Sequence, residues 1–252
     1  MGILDFLSPT KRRERWVEKQ IRRANNKYTP KDYRQVALSN VMEEAKKGNE
    51  IAIGGMIARF GVIAEPISED EREKEWVCDA LIDIGRPALP QIRRGLRCAE
   101  TVNWLQRGLR GIVDEDEFRR ELLDVLAAFD NEYERNPDRK IQTIMTLADL
   151  PDPEVARELL RFLGDVDETV RFQAVVALAR QGDEVAREPL LHTICEDESL
   201  RVRNEAVDAF SERGWSTSGF KKKIDGLLPK GYRHDKSGKI VKLGSTDGTR
   251  SA

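Results

Sequence analysis

The sequence predicts an all-α protein, a right-handed solenoid of about five to six helical hairpins, with a small β-hairpin near the C-terminus. Two observations predict this fold class. A stretch of sequence recurs after 32 residues, and apolar residues recur at helical spacing along most of the chain. Self-similarity at a period of 20–50 residues is typical of a solenoid, in which each unit buries its apolar face against its neighbours.

The recurring stretch covers residues 165–182 and again 197–214. Each copy begins with aspartate, has a Val-Arg pair five and six residues later, continues with small residues and ends with glycine. A second recurrence, VARE at 155–158 and again at 185–188, lies before each copy. The repeating unit therefore contains two helices.

The other elements follow from apolar spacing and from stop signals. Thr29-Pro30 begins a helix, and Gly48, Gly61 and Gly85 end helices. Alternating residues around a DKSG turn predict the β-hairpin. The helices expected before the repeats cover residues 11–26, 30–47, 50–60, 76–84, 86–97, 101–112, 115–129, 140–150 and 154–163, and a last helix is expected over 216–228.

Charge is segregated along the chain and indicates three segments. Residues 11–35 hold 10 Lys and Arg against 3 Asp and Glu, and residues 221–252 hold 9 against 3, whereas residues 36–220 hold 24 against 38. We expect a basic N-terminal helix over 1–28, the helical solenoid over 29–215, and a C-terminal helix, hairpin and disordered basic tail over 216–252. The first ten residues read as a short apolar tag.

Several features place the chain in a reducing, aqueous compartment. No stretch approaches the roughly 20 apolar residues that span a bilayer, and the apolar residues of the N-terminus precede the basic ones, the reverse of a secretory signal. Cys78, Cys98 and Cys195 are scattered with apolar neighbours, so we expect three buried thiols. The expected location is the cytoplasm.

These residues together resemble the HEAT-repeat family of paired-helix α-solenoids, which includes armadillo-like and phycobilisome-lyase-type proteins. In that family an Asp precedes the second helix and a Val-Arg pair opens it. Asp165 with Val170-Arg171, and Asp197 with Val202-Arg203, match this pattern. The resemblance is strong over residues 150–215 and weaker back to about residue 30, and it implies a bacterial-type, all-α binding protein.

Signs of catalysis are few. The two histidines, His192 and His234, lie outside any metal motif, and no phosphate-binding glycine loop or nucleophile elbow is present. The acidic clusters at 69–73 and 114–117 read as solvated helix starts. We expect no metal, no cofactor, no catalytic residue and no small-molecule substrate.

Two enzymatic alternatives come from the resemblance. A HEAT-like DNA glycosylase, or another nucleic-acid-binding protein, would use Trp76, Trp104 and Trp215 beside acidic residues, but the acidic body opposes duplex binding. A HEAT-type bilin lyase would share only the architecture.

The sequence therefore favours a non-catalytic scaffold or adaptor that binds a protein partner on the concave face, which the second helices of the units would line. The recurring arginines are interpreted first as structural. The basic termini offer a contact for nucleic acid or anionic membrane. The candidate concave-face residues are Arg171, Arg203, Asn204, Arg139 and Arg107, and the candidate N-terminal patch is Lys11, Arg12, Arg13, Arg15, Arg22 and Arg23.

Overall fold

The computed structural model describes residues 8–243, and most of these residues are helical. Most of the predicted apolar tag lies outside the described residues. The predicted disordered tail, residues 244–252, lies entirely outside them. The all-α class is confirmed. The elements are α1 (Pro9–Ala24), α2 (Lys31–Lys46), α3 (Glu50–Ala58), α4 (Ile67–Ile84), α5 (Leu89–Cys98), α6 (Asn103–Arg110), α7 (Glu115–Ala127), α8 (Asp138–Ala148), α9 (Pro153–Leu160), α10 (Glu168–Gln181), α11 (Arg187–Glu196), α12 (Leu200–Arg213), α13 (Lys221–Ile224), β1 (Tyr232–His234) and β2 (Ile240–Lys242).

The chain divides into two compact units, residues 1–121 and 122–252, and the boundary falls within α7. In the first unit, α2 contacts α4 and α4 contacts α6, while α1 contacts α3 and α3 contacts α5. Consecutive helices such as α1 and α2, or α5 and α6, join these two rows. The first unit is thus a double row of stacked helices.

The second unit repeats this arrangement. Helices α8, α10 and α12 form one row, and α9, α11 and α13 are their counterparts in the other, with α9 contacting the 3-10 turn that leads into α11. The helical-repeat architecture predicted from the period of 32 residues is therefore present. We call α2, α4 and α6 the second-helix row of the first unit, and α8, α10 and α12 that of the second.

The core of the second unit explains which residues recur. Val170, Ala174 and Leu178 of α10 are fully buried, and Val202 and Ala206 occupy the equivalent buried positions of α12. Alanine at the contact allows neighbouring helices to approach closely, while the branched residues fill the space between them. These residues recur because stacked helices require small and branched side chains at the same positions.

The ends of α10 and α12 are built in the same way, with a side chain that caps the first turn and a glycine that ends the helix. The Asp167 side chain accepts hydrogen bonds from the backbone N–H groups of Thr169 and Val170, and Ser199 does so from Val202. Both helices end at a left-handed glycine, Gly182 with φ of 68° and Gly214 with φ of 63°. These glycines are the last matching residues of the sequence repeat.

The C-terminal elements follow the prediction in part. The helix expected over 216–228 is shortened to α13, with turns on either side, because Thr217 is drawn toward the hairpin, where its N–H and hydroxyl both donate to the Gly238 carbonyl. The predicted hairpin is confirmed, with Tyr232 opposite Lys242 and His234 opposite Ile240.

Two local expectations concern the cysteines and membrane-spanning helices. Of the three cysteines, Cys78 is buried, Cys195 is partly buried and Cys98 is exposed, so the expectation of three buried thiols was wrong for Cys98. Burial raises the pKa of Cys78 to about 11. Among residues 8–243, no helix is long and apolar enough to cross a membrane.

Candidate functional site

The second-helix row of the second unit carries a ladder of buried ion pairs. Lys140 of α8 lies 2.9 Å, Nζ to Oδ2, from Asp165 in the turn before α10. Arg171 of α10 lies 2.9 Å, Nε to Oδ2, from Asp197 in the turn before α12. Each of these two cations thus binds the aspartate before the next second helix, which explains why Asp165 and Asp197 recur.

Arg171, the first predicted contact residue, is bound within the protein on every side. Its Nη1 donates to the carbonyl oxygens of Asp165 and Val166, and its Nη2 donates to Asp197 and Glu198. Only 7% of the residue is exposed, and the hydrogen bond with Asp197 raises the pKa of the guanidinium. This geometry is that of a structural residue.

Arg203 occupies the same position on α12 as Arg171 does on α10. It is half-buried, and within the described part of the chain its buried Nε has no hydrogen-bond partner. Asn204 beside it is exposed, and Arg139 of α8 lies half-buried with its guanidinium 4.9 Å from the Phe129 ring centroid. The predicted residues of the second unit therefore lie on one row of helices.

Arg107 belongs to the first unit and is exposed on α6. Its Nη2 lies 3.0 Å from Glu75 Oε1 and 3.8 Å from Asp79 Oδ1, both on α4, and the hydrogen bond with Glu75 raises the pKa of the guanidinium. The Arg107 guanidinium also lies 5.3 Å from the centroid of the Trp104 ring. Arg107 therefore bridges neighbouring second helices.

The predicted N-terminal patch forms one exposed basic surface on α1, but one of its members has a second role. Arg13 donates from Nε and Nη2 to both carboxylate oxygens of Glu44 on α2, at 2.8 Å each. Hydrogen bonds from Arg13 and Lys47 hold the pKa of Glu44 at about 2. The patch residues are all exposed or nearly so: Lys11, Arg12, Arg13, Arg15, Arg22 and Arg23.

A buried charge cluster in the first unit was not predicted from the sequence. Arg34 makes two hydrogen bonds to Glu73, and Arg59 binds both Glu73 and Asp70. Lys74 lies 2.7 Å from Asp70, and all five side chains are at least 90% buried. The expectation that the acidic cluster at 69–73 is solvated was therefore wrong for Asp70 and Glu73.

The two carboxylates of this cluster are surrounded by cations. Burial by itself raises the pKa of Asp70, but hydrogen bonds from Lys74 and Arg59 outweigh it and lower that pKa below its ordinary value. Three cations face two carboxylates, so the cluster holds α2 and α4 together with an excess of positive charge. Spacing in the sequence offers no signal, because the partners come from different helices.

A cleft of about 800 Å³ lies beside this cluster in the first unit. The rings of Phe60 and Trp104 stack in its wall with centroids 6.0 Å apart. Lys74 and the exposed Cys98 also line it. Two basic and two acidic side chains line the cleft, namely Lys74, Arg94, Glu71 and Glu100, so its charge favours neither sign.

A second, smaller groove of about 200 Å³ lies between α2 and α4 on the second-helix row. Ser39 and Glu43 of α2, and Trp76, Asp79 and Asp83 of α4, are among its lining residues. From the sequence, Trp76 was a candidate only of the glycosylase hypothesis.

The tryptophans of that hypothesis do not form one site. Trp76 is 41% exposed on α4, whereas Trp104 stacks on Phe60 at the cleft. Trp215, in the second unit, is buried against Phe210 with ring centroids 5.5 Å apart. Among residues 8–243, no group of three or more His, Cys, Asp or Glu side chains is arranged to hold a metal ion.

The double rows of stacked helix pairs, with ion pairs at two successive steps of the second unit, define the class of helical-repeat proteins. Residues 123–211 match the family model of HEAT repeats. This segment of the chain is accordingly built of HEAT repeats. No curated protein matches it.

Proposed function

We propose that this protein is a non-catalytic interaction scaffold that binds a protein partner through the outward faces of its second-helix rows. HEAT repeats generally serve as protein-interaction scaffolds, and the match over residues 123–211 supports this function. The proposed compartment is the cytoplasm. The proposed organisation keeps a basic helix over 1–28, the repeats over 29–215 and a C-terminal cap from 216.

One observation carries the proposal: the recurring apolar residues face inward, and the outward residues differ from helix to helix. On α10, the repeated Val170 and Arg171 are buried, whereas Gln173 and Val176 are partly exposed. On α12, Asn204 is exposed at a position where α10 has Phe172. A surface that varies along a regular frame is suited to recognising one partner.

Arg203, Asn204, Arg139 and Arg107 remain the proposed contact residues, and Arg171 supports the surface from beneath. Arg203 is the most informative of them because its ladder position lacks the aspartate that follows Arg171. An acidic side chain of a partner would bind the exposed part of this half-buried arginine.

The scaffold function is tested by affinity capture from the native cell with the full chain and with Arg203→Glu. The matched control is Arg157→Glu on the exposed surface of α9, which changes the charge equally outside the second-helix row. We expect Arg203→Glu to lose a partner that the wild type and the control retain. Identical captured proteins for all three chains, or none for the wild type, would contradict the proposal.

An anionic partner of the basic helix is the second candidate. The exposed cations of α1 favour it, although Arg13 is bound to Glu44. Titration with duplex DNA at two salt concentrations, and co-sedimentation with vesicles that contain anionic lipid, test it. Steeply salt-dependent binding that is lost in a chain without residues 1–27 would support this candidate, and no binding at low salt removes it.

A further inference from the structure

We propose that the groove between α2 and α4 binds a basic, amphipathic helical segment of a protein partner. This inference rests on the scaffold function and assigns the partner's chemistry for the first unit. Ser39, Glu43 and Lys46 of α2 and Trp76, Asp79 and Asp83 of α4 line the groove. It lies on the second-helix row and shares no lining residue with the cleft beside the buried cluster.

Large apolar side chains are exposed along this surface. Trp76 in the groove is 41% exposed, and Val36 and Tyr33 of α2 are 62% and 69% exposed. Val36 precedes Glu43 by seven residues, which places both on one face of the helix. Apolar surface stabilises the protein only when it is removed from water, and tryptophan is the side chain most enriched among residues that dominate binding energy.

Carboxylates surround the apolar surface. Glu43, Asp79 and Asp83 line the groove with one cation, Lys46. Within residues 8–243, neither Glu43 nor Asp83 has an ion-pair partner, whereas Arg107 lies between Glu75 and Asp79. The groove therefore carries net negative charge beside its tryptophan. Lysine or arginine side chains complement this charge and also interact with the face of an indole ring.

The spacing of the groove residues places each set on one face of its own helix, so the groove runs between two helices and a third helix can lie along it. Trp76, Asp79 and Asp83 follow one another at three and four residues along α4, and Ser39, Glu43 and Lys46 follow at four and three along α2. Carboxylates four residues apart on a helix lie about 6 Å apart along its axis. A partner helix lying along the groove presents basic side chains at the same interval, and its apolar side chains meet Trp76 and Val36.

The experiment measures fluorescence anisotropy of a labelled peptide against the full-length protein. The probe is an amphipathic leucine–lysine peptide of four helical turns, and its matched control carries glutamate in place of lysine. We expect the basic peptide alone to bind. Trp76→Ala weakens its Kd by about tenfold, which is typical of a central aromatic contact. Asp79→Asn with Asp83→Asn weakens the Kd by about threefold at low salt, and high salt reduces this difference.

Glu14→Gln with Glu18→Gln on the exposed surface of α1 removes the same charge outside the groove. This control is expected to leave the Kd unchanged. Equal loss in both double variants would show non-specific attraction and contradict the proposal, as would an unchanged Kd in Trp76→Ala. Circular dichroism shows whether Trp76→Ala remains folded. If this variant unfolds, the comparison of Asp79→Asn/Asp83→Asn with Glu14→Gln/Glu18→Gln still tests the groove.

Three other outcomes also overturn the inference. They are absence of binding by the basic peptide, equal binding by the acidic peptide, and a sedimentation coefficient that falls in Trp76→Ala because a second copy had occupied the groove. Failure here is distinct from failure of the scaffold function. If Arg203→Glu still loses a captured partner while the groove variants bind normally, the scaffold stands and the groove assignment falls.

Discussion

Asp197 performs two tasks in the turn before α12. Its carboxylate accepts hydrogen bonds from Arg171 and from the backbone N–H of Ser199. The neighbouring Glu198 also lies 3.3 Å from Arg171, yet its side chain is 86% exposed. Two acidic residues beside one guanidinium thus differ in burial, and burial decides how much each contributes.

Asp197→Asn is expected to destabilise the protein by about 3 kcal/mol, because it leaves the largely buried Arg171 without its anionic partner. Glu198→Gln, the matched control, is expected to cost less than about 0.5 kcal/mol since its charge is screened by water. Urea unfolding of both variants measures the two costs. A cost for Asp197→Asn as small as that for Glu198→Gln would show that the ladder pair does not stabilise the fold.

The Arg13–Glu44 pair predicts a dependence on pH. The folded pKa of Glu44, about 2, lies below its ordinary value of 4.5. The pair therefore contributes its full stability above about pH 4.5 and loses it as the pH falls toward 2. We expect Arg13→Gln to be less stable than wild type at pH 6, and the difference to shrink on acidification. Unfolding at several pH values measures it, and a difference that is constant with pH contradicts the assignment.

At the scale of elements, the left-handed glycines set the length of α10 and α12. Gly182 has a φ of 68°, and a Cβ there would lie 2.7 Å from Arg213 Nη1, whose guanidinium binds the Arg180 carbonyl. Gly214 has a φ of 63° and more space. A side chain in this conformation costs roughly 1–2 kcal/mol. Glycine therefore recurs at the C-terminal end of both helices.

We expect Gly182→Ala and Gly214→Ala each to lower the free energy of unfolding by about 1–2 kcal/mol. Gly164 serves as the control, because it has no positive φ and a Cβ at this position would meet no atom within 4 Å. Gly164→Ala should change the stability by less than about 0.5 kcal/mol. Chemical denaturation of the three variants separates backbone strain from the loss of glycine itself; equal effects would argue against the strain.

The C-terminal hairpin is fastened by side chains that the sequence pattern did not connect. His234 lies between Thr217, at 3.0 Å from Nε2, and Asp225, which contacts Nδ1. Tyr232 and Lys242 both contact Asp208 of α12, and Ile240 is buried. These contacts hold a short two-stranded ribbon that would be marginal alone.

At the scale of the whole molecule, each unit is stabilised mainly by contacts between neighbouring helices within it. Glu73→Gln disturbs the buried cluster of the first unit, and Leu178→Ala opens a cavity in the second. Each change is expected to cost about 3 kcal/mol. Because repeat arrays respond locally, hydrogen exchange should accelerate in α2–α4 for the first variant and in α10–α12 for the second. Acceleration of both regions by either variant would show that the two units unfold together.

The sequence by itself determined the two-helix repeat, the all-α class, the capping glycines and the Asp and Arg positions of the ladder. Stacking places equivalent residues of successive helix pairs in similar environments. These features therefore recur at a fixed period that can be read from the sequence. Only the tertiary structure decided that Asp70 and Glu73 are buried with Arg34 and Arg59, and that Trp76 lies in a groove with Glu43. Such contacts join residues from different helices, up to 39 positions apart for Arg34 and Glu73, and they do not recur. A contact that is made once leaves no periodic pattern in the sequence. The surfaces proposed to bind partners consist of residues that likewise do not recur.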